Sequence, residues 1–165
     1  MSKKAYAFLI LMVVLVVLLP PPSCHAQSAD RKGQGYVFFA PGVATAPFAT
    51  NGIFQVGAGG ERFLHKGLAV GGEGGYLAPF EAVGDGFGVA SGDGSYHFNR
   101  GKKAVPFVSA GYSLLFRSGV ANAVNYGGGV NCWFKDRLGV RLEFRDHYVP
   151  SFTEHYVTFR VGLSF

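Results

Sequence analysis

Four side chains of the kinds used in hydrolytic catalysis alternate along one short segment of the chain. Ser91, Asp93, Ser95 and His97 are each separated by one residue, so an extended backbone would place all four on one face. Together they could supply a nucleophile, a base and an orienting acid. Neighbours on one face of a strand lie roughly 6.5 to 7 Å apart, too far for a nucleophile-to-base hydrogen bond without help from another strand. We therefore predict no catalytic residues and no enzymatic activity.

Two histidines near the end of the chain are candidate metal ligands. His147 and His155 flank a predicted loop and could approach each other at its base. A zinc site needs three or four ligands, and the sequence offers no clear third one. The glycine-rich segment from Gly57 has Arg62 where a dinucleotide-binding fingerprint requires its last glycine. We predict neither a metal nor a cofactor.

Eight charged residues fall at alternating positions among glycines, serines and asparagines. Four are acids and four are bases, so they could neutralise one another inside a narrow lumen, where buried charges need partners. A solvated surface would more often carry lysines at such positions. An alternative is a narrow ion path in which some of these charges exchange partners. The eight are Glu61, Glu73, Asp93, Arg117, Arg141, Glu143, Arg145 and Arg160.

These residues belong to segments that alternate in polarity with a period of two, which indicates β-strands. The 25 glycines also disfavour helices. Short turns alternate with longer loops, which is typical of transmembrane β-barrels with an even number of strands. We predict an eight-stranded antiparallel up-and-down barrel over 34–165. The strands are predicted at about 34–42, 52–63, 68–78, 86–98, 106–117, 124–134, 138–148 and 154–165.

The predicted connections differ in character on the two sides of the barrel. Three short, charged turns are predicted at 65–67, 99–103 and 135–137. Four more varied loops are predicted at 43–51, 79–85, 118–123 and 149–153. In bacterial membrane barrels the short turns face the periplasm, so both chain ends would lie there.

The alternation does not by itself decide which face points inward. Near the end of the chain Leu142 and Phe144 alternate with Arg141, Glu143 and Arg145, and a soluble barrel would turn the apolar set inside. Small and charged residues opposite bulky apolar ones favour a filled polar lumen and a lipid-facing apolar surface. Aromatic residues near strand ends fit interfacial girdles. A soluble β-barrel binding protein remains the alternative.

The first 26 residues have the parts of a secretory signal peptide. Lys3 and Lys4 precede an apolar run of 15 residues, Ala5 to Leu19, which is too short to span a membrane comfortably. We predict cleavage after Ala26, followed by a short N-terminal segment at 27–33. An uncleaved anchor helix and lipidation of Cys24 are the alternatives.

Removal of this segment also restricts the remaining chemistry. Cys132 would be the only cysteine left, so no disulfide could form within the chain. The formal net charge of the chain is +5, and loss of Lys3 and Lys4 lowers it by two. Since no long basic run remains, we predict no nucleic-acid binding.

The carboxy-terminal segment resembles the final strand of bacterial outer-membrane barrels, which ends on a phenylalanine. The segments Asn125–Asp146 and Pro106–Gly111 are similar to the small barrels typified by the transmembrane domain of outer membrane protein A. In that family the last strand is read by the barrel assembly machinery. The residues of this chain that would carry the signal are Tyr156, Phe159, Val161, Leu163 and Phe165.

This resemblance implies export through the signal peptide to a bacterial outer membrane. The implied partners are outer-membrane lipids and the barrel assembly machinery, and a monomer is expected. The predicted role is envelope integrity or interaction through surface loops. A narrow porin-like channel and, less favoured, an outer-leaflet lipid-modifying enzyme are the alternatives.

Overall fold

The alternation of polar and apolar residues corresponds to eight antiparallel strands. The structure is a computed structural model and describes residues 31–46 and 49–165. The predicted signal peptide and most of segment 27–33 lie outside the described residues. In the described part no helix is long and apolar enough to cross a membrane. The strands are β1 Gly33–Ala46, β2 Ala49–His65, β3 Leu68–Pro79, β4 Phe87–His97, β5 Ala104–Phe116, β6 Val120–Lys135, β7 Leu138–Val149 and β8 Glu154–Ser164.

Each strand pairs with its neighbours in sequence, and β1 pairs with β8 to close the barrel. Closure leaves no edge strand whose backbone groups would lack partners. The predicted eight-stranded up-and-down barrel is therefore confirmed. We call the side of the connections at 66–67, 98–103 and 136–137 the turn side, and the opposite side the loop side.

Two connections are shorter than the sequence suggested. The predicted loop at 43–51 is mostly strand, because Val43 pairs with Gly52 and Ala44 with Asn51. The predicted loop at 118–123 shrinks to 117–119, since β6 begins at Val120. Small and polar residues gave no alternating signal there, yet a paired neighbour extends the ladder whatever the side chains are.

The closing seam between β1 and β8 contains a gap in its ladder. The pairing runs from Tyr36 with Ser164 to Phe39 with Val161, and it resumes at Gly42 with Thr158. Pro41 lies in the gap and has no backbone N–H to donate. The register is the same on both sides of the gap, so the barrel closes without a shift.

The strands present apolar residues outward and polar residues inward. On β5, Val108 is 50% exposed and Tyr112 is 51% exposed, whereas Ser109 and Ser113 point inward and are buried. On β7, Phe144 is exposed beside the buried Arg145. The outer surface therefore has the composition of a protein core, and the interior has that of a polar surface.

Candidate functional site: the barrel interior and its loop-side opening

Five of the charged residues assigned to the lumen meet there in one hydrogen-bonded network. Arg141 Nε donates to Glu143 Oε2 at 2.9 Å, and Arg141 Nη1 donates to Glu61 Oε1 at 3.1 Å. Arg145 Nε donates to Glu143 Oε1 at 2.6 Å, and Arg145 Nη1 donates to Asp93 Oδ2 at 2.9 Å. Glu143 thus bridges two arginines of its own strand.

The network continues across the barrel through Arg160 and Glu73. Two nitrogens of Arg160 donate to the two carboxylate oxygens of Glu73 at 2.8 and 2.9 Å, and one of them also donates to Gln55. Arg145 lies 3.5 Å from the same carboxylate. None of these seven charged side chains is more than 7% exposed. Each buried charge has an opposite charge beside it, which offsets the cost of removing it from water.

Arg117 does not belong to this network, and the prediction that placed it in the lumen is wrong. β5 ends at Phe116, so the alternation that would have turned residue 117 inward stops one residue earlier. The Arg117 side chain is 53% exposed and pairs with Asp85 of the neighbouring loop at 2.9 Å. It is a loop residue on the surface.

Glycines make room for the lumen charges. Six of the seven charged residues have a glycine as their partner on a neighbouring strand. Each of these charged side chains therefore lies over a position that has no side chain of its own. A methyl group at Gly111, for example, would collide with Oδ1 of Asp93. The pairs are Glu61–Gly71, Glu73–Gly59, Asp93–Gly111, Arg141–Gly162, Glu143–Gly129 and Arg145–Gly127.

Aromatic rings inside the barrel cover two of the arginines, and the positions of the charges in the sequence did not predict them. The Arg141 guanidinium lies 4.4 Å from the ring centre of Tyr36 and 4.0 Å from that of Phe107. Arg160 lies 4.3 Å from the ring centre of Phe38. Such contacts stabilise a desolvated cation. The period-two pattern on β1 and β5 was the available signal, since these rings share a face with polar residues.

The serine and histidine of β4 are brought together, but not as a catalytic triad. Ser95 Oγ lies 3.3 Å from His97 Nε2, closer than the backbone spacing alone suggested, because both side chains lean towards Glu61. Ser95 donates to Glu61 at 2.6 Å, and the same histidine nitrogen lies 2.9 Å from that carboxylate. One nitrogen therefore serves both contacts, whereas a triad uses two. His97 also packs between the rings of Phe63 and Phe107.

The two histidines considered as metal ligands point to opposite sides of the barrel wall. His147 faces the interior and is 1% exposed. His155 faces outward, where its Nδ1 lies 2.8 Å from Asp146 Oδ2. Within the described residues no group of three or more His, Cys, Asp or Glu side chains is placed to hold a metal ion.

An apolar layer crosses the lumen on the loop side of the ion network. Phe87 and Tyr156 pack against it, with their ring centres 5.5 Å apart. This layer separates the polar interior from the loop-side opening. Its buried members are Ile53, Leu77, Val89, Leu115, Ala123 and Val149.

Two adjoining cavities open above this layer, with volumes of about 430 and 250 Å³. Both are lined by Phe87, Glu154 and Tyr156. The larger extends to Arg117 and Phe152 at the rim. We call the two together the loop-side cup.

The residues assigned to the assembly signal divide between the two faces of β8. Phe159 and Leu163 are exposed on the outer face, whereas Tyr156 contacts the apolar layer inside. Phe165 follows the strand and exchanges two backbone hydrogen bonds with Gly35 across the closing seam, at 2.8 and 2.9 Å. Val161 pairs with Phe39 on the same seam.

No protein-family model matches this sequence, and no curated relative matches it. Solved structures do match. Neisserial surface protein A (NspA) has 14% identity over 80% of this chain and 95% of its own, with a TM-score of 0.67. The N-terminal β-barrel domain of Pseudomonas aeruginosa OprF has 19% identity over 86% and 100%, with a TM-score of 0.59. The attachment invasion locus protein Ail of Yersinia pestis has 7% identity over 82% and 99%, with a TM-score of 0.53.

These neighbours are small eight-stranded outer-membrane β-barrels. A designed transmembrane β-barrel also matches, with 14% identity and a TM-score of 0.54. The chain therefore has the fold of the small outer-membrane barrels, as the resemblance of its carboxy-terminal strands implied. At identities this low the matches establish the fold alone, so any activity has to be inferred from the residues of this chain.

Proposed function

We propose that this chain is a non-enzymatic integral protein of a bacterial outer membrane. In this view its barrel is a rigid, filled anchor that presents four loop-side connections. The observation that supports this proposal most directly is the reversal of polarity, with an apolar outer surface around a buried ion network. A water-soluble barrel would expose Val108, Tyr112 and Phe144 to solvent at a cost of roughly 25 cal/mol for each Å² of apolar surface. A lipid bilayer removes that cost.

A filled interior favours a structural or surface role over transport. An eight-stranded barrel is just wide enough for its own side chains to fill. The apolar layer on the loop side would also force a permeating ion past groups that cannot replace its water. These features argue against the alternative of a narrow ion channel. They argue equally against an outer-leaflet enzyme that uses the buried Ser95 and His97.

The first experiment is to refold the purified protein in detergent and compare the gel mobility of heated and unheated samples. A compact, protease-resistant band that shifts on heating would support the membrane barrel. Folding in plain buffer without detergent and without a mobility shift would contradict it. Planar-bilayer recordings of the same sample should show no single-channel steps, and regular steps would establish the channel instead.

The loop side supports interaction as the more specific role. Phe80, Val83 and Phe152 are exposed there at 45%, 53% and 61%, and none of them lies on the lipid-facing strands. Exposed apolar side chains on connecting loops are candidate contacts for a partner. In a strain that lacks the gene, a variant with Phe80→Ser and Phe152→Ser should reach the surface normally. It should nevertheless fail to reverse the phenotype that the deletion causes. Full restoration would favour envelope integrity through the barrel alone.

The outer face of β8 and the terminal phenylalanine fit a signal for the barrel assembly machinery. Phe165 closes the seam with Gly35 through backbone hydrogen bonds, which an alanine would retain, so replacing it removes the side chain offered for recognition while leaving these bonds in place. We expect Phe165→Ala to lower the amount of heat-modifiable protein in the membrane. Refolding of the purified variant in detergent should be normal, because only closure is needed there; impaired refolding would show that the side chain acts in closure and not in recognition. The chain is expected to act as a monomer among outer-membrane lipids.

A further inference from the structure

The charges of the two ends of the barrel differ strongly. Among residues 31–46 and 49–165, the turn side carries nine arginines and lysines against one acid, Asp136. The loop side carries Glu81, Asp85, Asp146 and Glu154 against Arg117. The buried network is close to neutral, so it does not cause this asymmetry. The nine bases, which we call the basic ring, are Arg31, Lys32, Arg62, Lys66, Arg100, Lys102, Lys103, Lys135 and Arg137.

The basic ring surrounds the whole rim instead of forming a patch on one side. Its members come from the segment before β1, from all three turns and from the turn-side ends of β2 and β6, which are spaced around the closed barrel. All but Arg31 and Arg100 are exposed. A soluble partner would approach from one direction, whereas lipid headgroups surround a membrane barrel on every side. The distribution therefore fits lipid better than a docked macromolecule.

Outward apolar side chains accompany the bases at the same level. Leu64 and Leu68 flank the turn at 66–67 and are 58% and 47% exposed. Tyr96 and Phe98 lie beside the next turn, with their rings 4.9 Å apart, and Phe165 is exposed at the end of β8. Aromatic and basic residues at one level are typical of the boundary between acyl chains and headgroups. Long basic side chains reach from that level to the phosphates.

We propose that the seven exposed bases of the basic ring bind the headgroups of anionic phospholipids in the leaflet on the turn side. This inference rests on the proposed membrane location and adds a lipid preference to it. The phosphate of an anionic headgroup attracts the bases of the ring. In a zwitterionic headgroup the positive charge of the amine offsets this attraction. One base near an anionic surface favours the anionic lipid by about fivefold at low salt. The preference falls with ionic strength, because exposed charges are screened.

The test uses the purified protein in vesicles that contain spin-labelled lipid. The immobilised fraction of labelled phosphatidylglycerol is compared with that of labelled phosphatidylcholine, which gives their relative association constant at the protein surface. We expect a preference for phosphatidylglycerol of about fivefold at low salt, reduced in 0.5 M salt to near equality.

Two matched variants separate charge from structure. In the first, Lys66, Lys102, Lys103 and Lys135 are each replaced by glutamine, and in the second each is replaced by arginine. The glutamine variant should lose at least half of the preference, and the arginine variant should keep it. Equal association of both lipids with the wild-type protein would overturn the proposal, as would a preference that the glutamine variant retains in full.

The same samples distinguish failure of this inference from failure of the membrane location. Immobilised lipid of either kind, together with a heat-modifiable band, shows that the barrel is inserted. Immobilised lipid without any headgroup preference refutes only the proposed binding of anionic headgroups by the basic ring. If no lipid is immobilised and no band shifts on heating, the proposed membrane location is itself refuted.

Discussion

Buried and exposed ion pairs of this chain differ in what their loss would cost. Arg160 holds both oxygens of Glu73 in the interior, where each side chain is 1% exposed. Arg117 holds one oxygen of Asp85 on the surface, where both are more than half exposed. Removing one member of a buried pair leaves a charge without water or a counter-charge. Removing one member of an exposed pair leaves a solvated charge.

Arg160→Met should therefore lower the free energy of unfolding by about 3 to 5 kcal/mol. Arg117→Gln is the matched control, with an expected change below about 1 kcal/mol. Urea unfolding of the refolded proteins, followed by heated and unheated gel mobility, measures both. Equal effects of the two substitutions would show that the lumen charges are not paired as described.

At the scale of the strands, glycine positions set the shape of the interior. The charged residues of β7 alternate with apolar ones, and Glu143 and Arg145 each face a glycine of β6. Gly129 lies against the backbone of Leu142, so this position admits no side chain. A few glycines of the wall carry no such restriction. Gly92 on β4 faces outward, and a methyl group there would meet nothing within 4 Å.

Gly129→Ala should destabilise the barrel by about 1 to 3 kcal/mol, because the strands must move apart to admit the methyl group. Gly92→Ala adds the same group to an open position and should be neutral. The fraction of each variant that refolds to the compact band, across a urea series, provides the comparison. A neutral Gly129→Ala would mean that β6 and β7 are not packed as closely as the structure describes.

For the whole molecule, the decisive property is the apolar band around the outside. Val108 lies two residues from the midpoint of β5 and faces outward, near the depth of the bilayer centre in the proposed orientation. Val120 is the first residue of β6, beside the loop-side rim, and is 67% exposed. Both are surface positions, so they differ only in their depth within the proposed membrane.

Val108→Arg should cost about 2 to 4 kcal/mol in lipid vesicles, and Val120→Arg about 0 to 1 kcal/mol, since the penalty depends on depth. Equilibrium refolding into vesicles across a urea series measures both. A soluble barrel would tolerate the two substitutions equally. Equal small costs would therefore contradict the membrane location, independently of any property of the lumen.

Much of the fold could be predicted from local pattern. The period of two, the glycine content and the alternating lengths of the connections predicted the number, order and pairing of the strands. The bounds of β1, β2 and β6 were missed where Val43 to Asn51 and Val120 to Ala123 show no clear alternation. Backbone pairing extends these strands, and pairing depends on a neighbour that local pattern does not contain.

The candidate site, like the fold, was predicted in part from the sequence. Glu61, Glu73, Asp93 and the arginines of β7 and β8 were singled out by their places in the alternation. The alternation did not predict the partners of each charge, the ring stacking on Arg141 or the apolar layer. Each of these features joins residues that are many positions apart in the sequence. Arg117 was misplaced because one residue at a strand end decides between the lumen and the loop.

The linear pattern determined that one face of every strand is apolar and the other polar, because the period of two is a property of the extended backbone alone. It is equally compatible with an apolar core and a polar outside. The small residues beside the charges favoured a polar lumen, but only closure of the barrel in three dimensions decided how the buried charges pair, since Arg141, Arg145 and Arg160 meet carboxylates that are distant in sequence. Burial without those partners would cost too much for the polar face to turn inward.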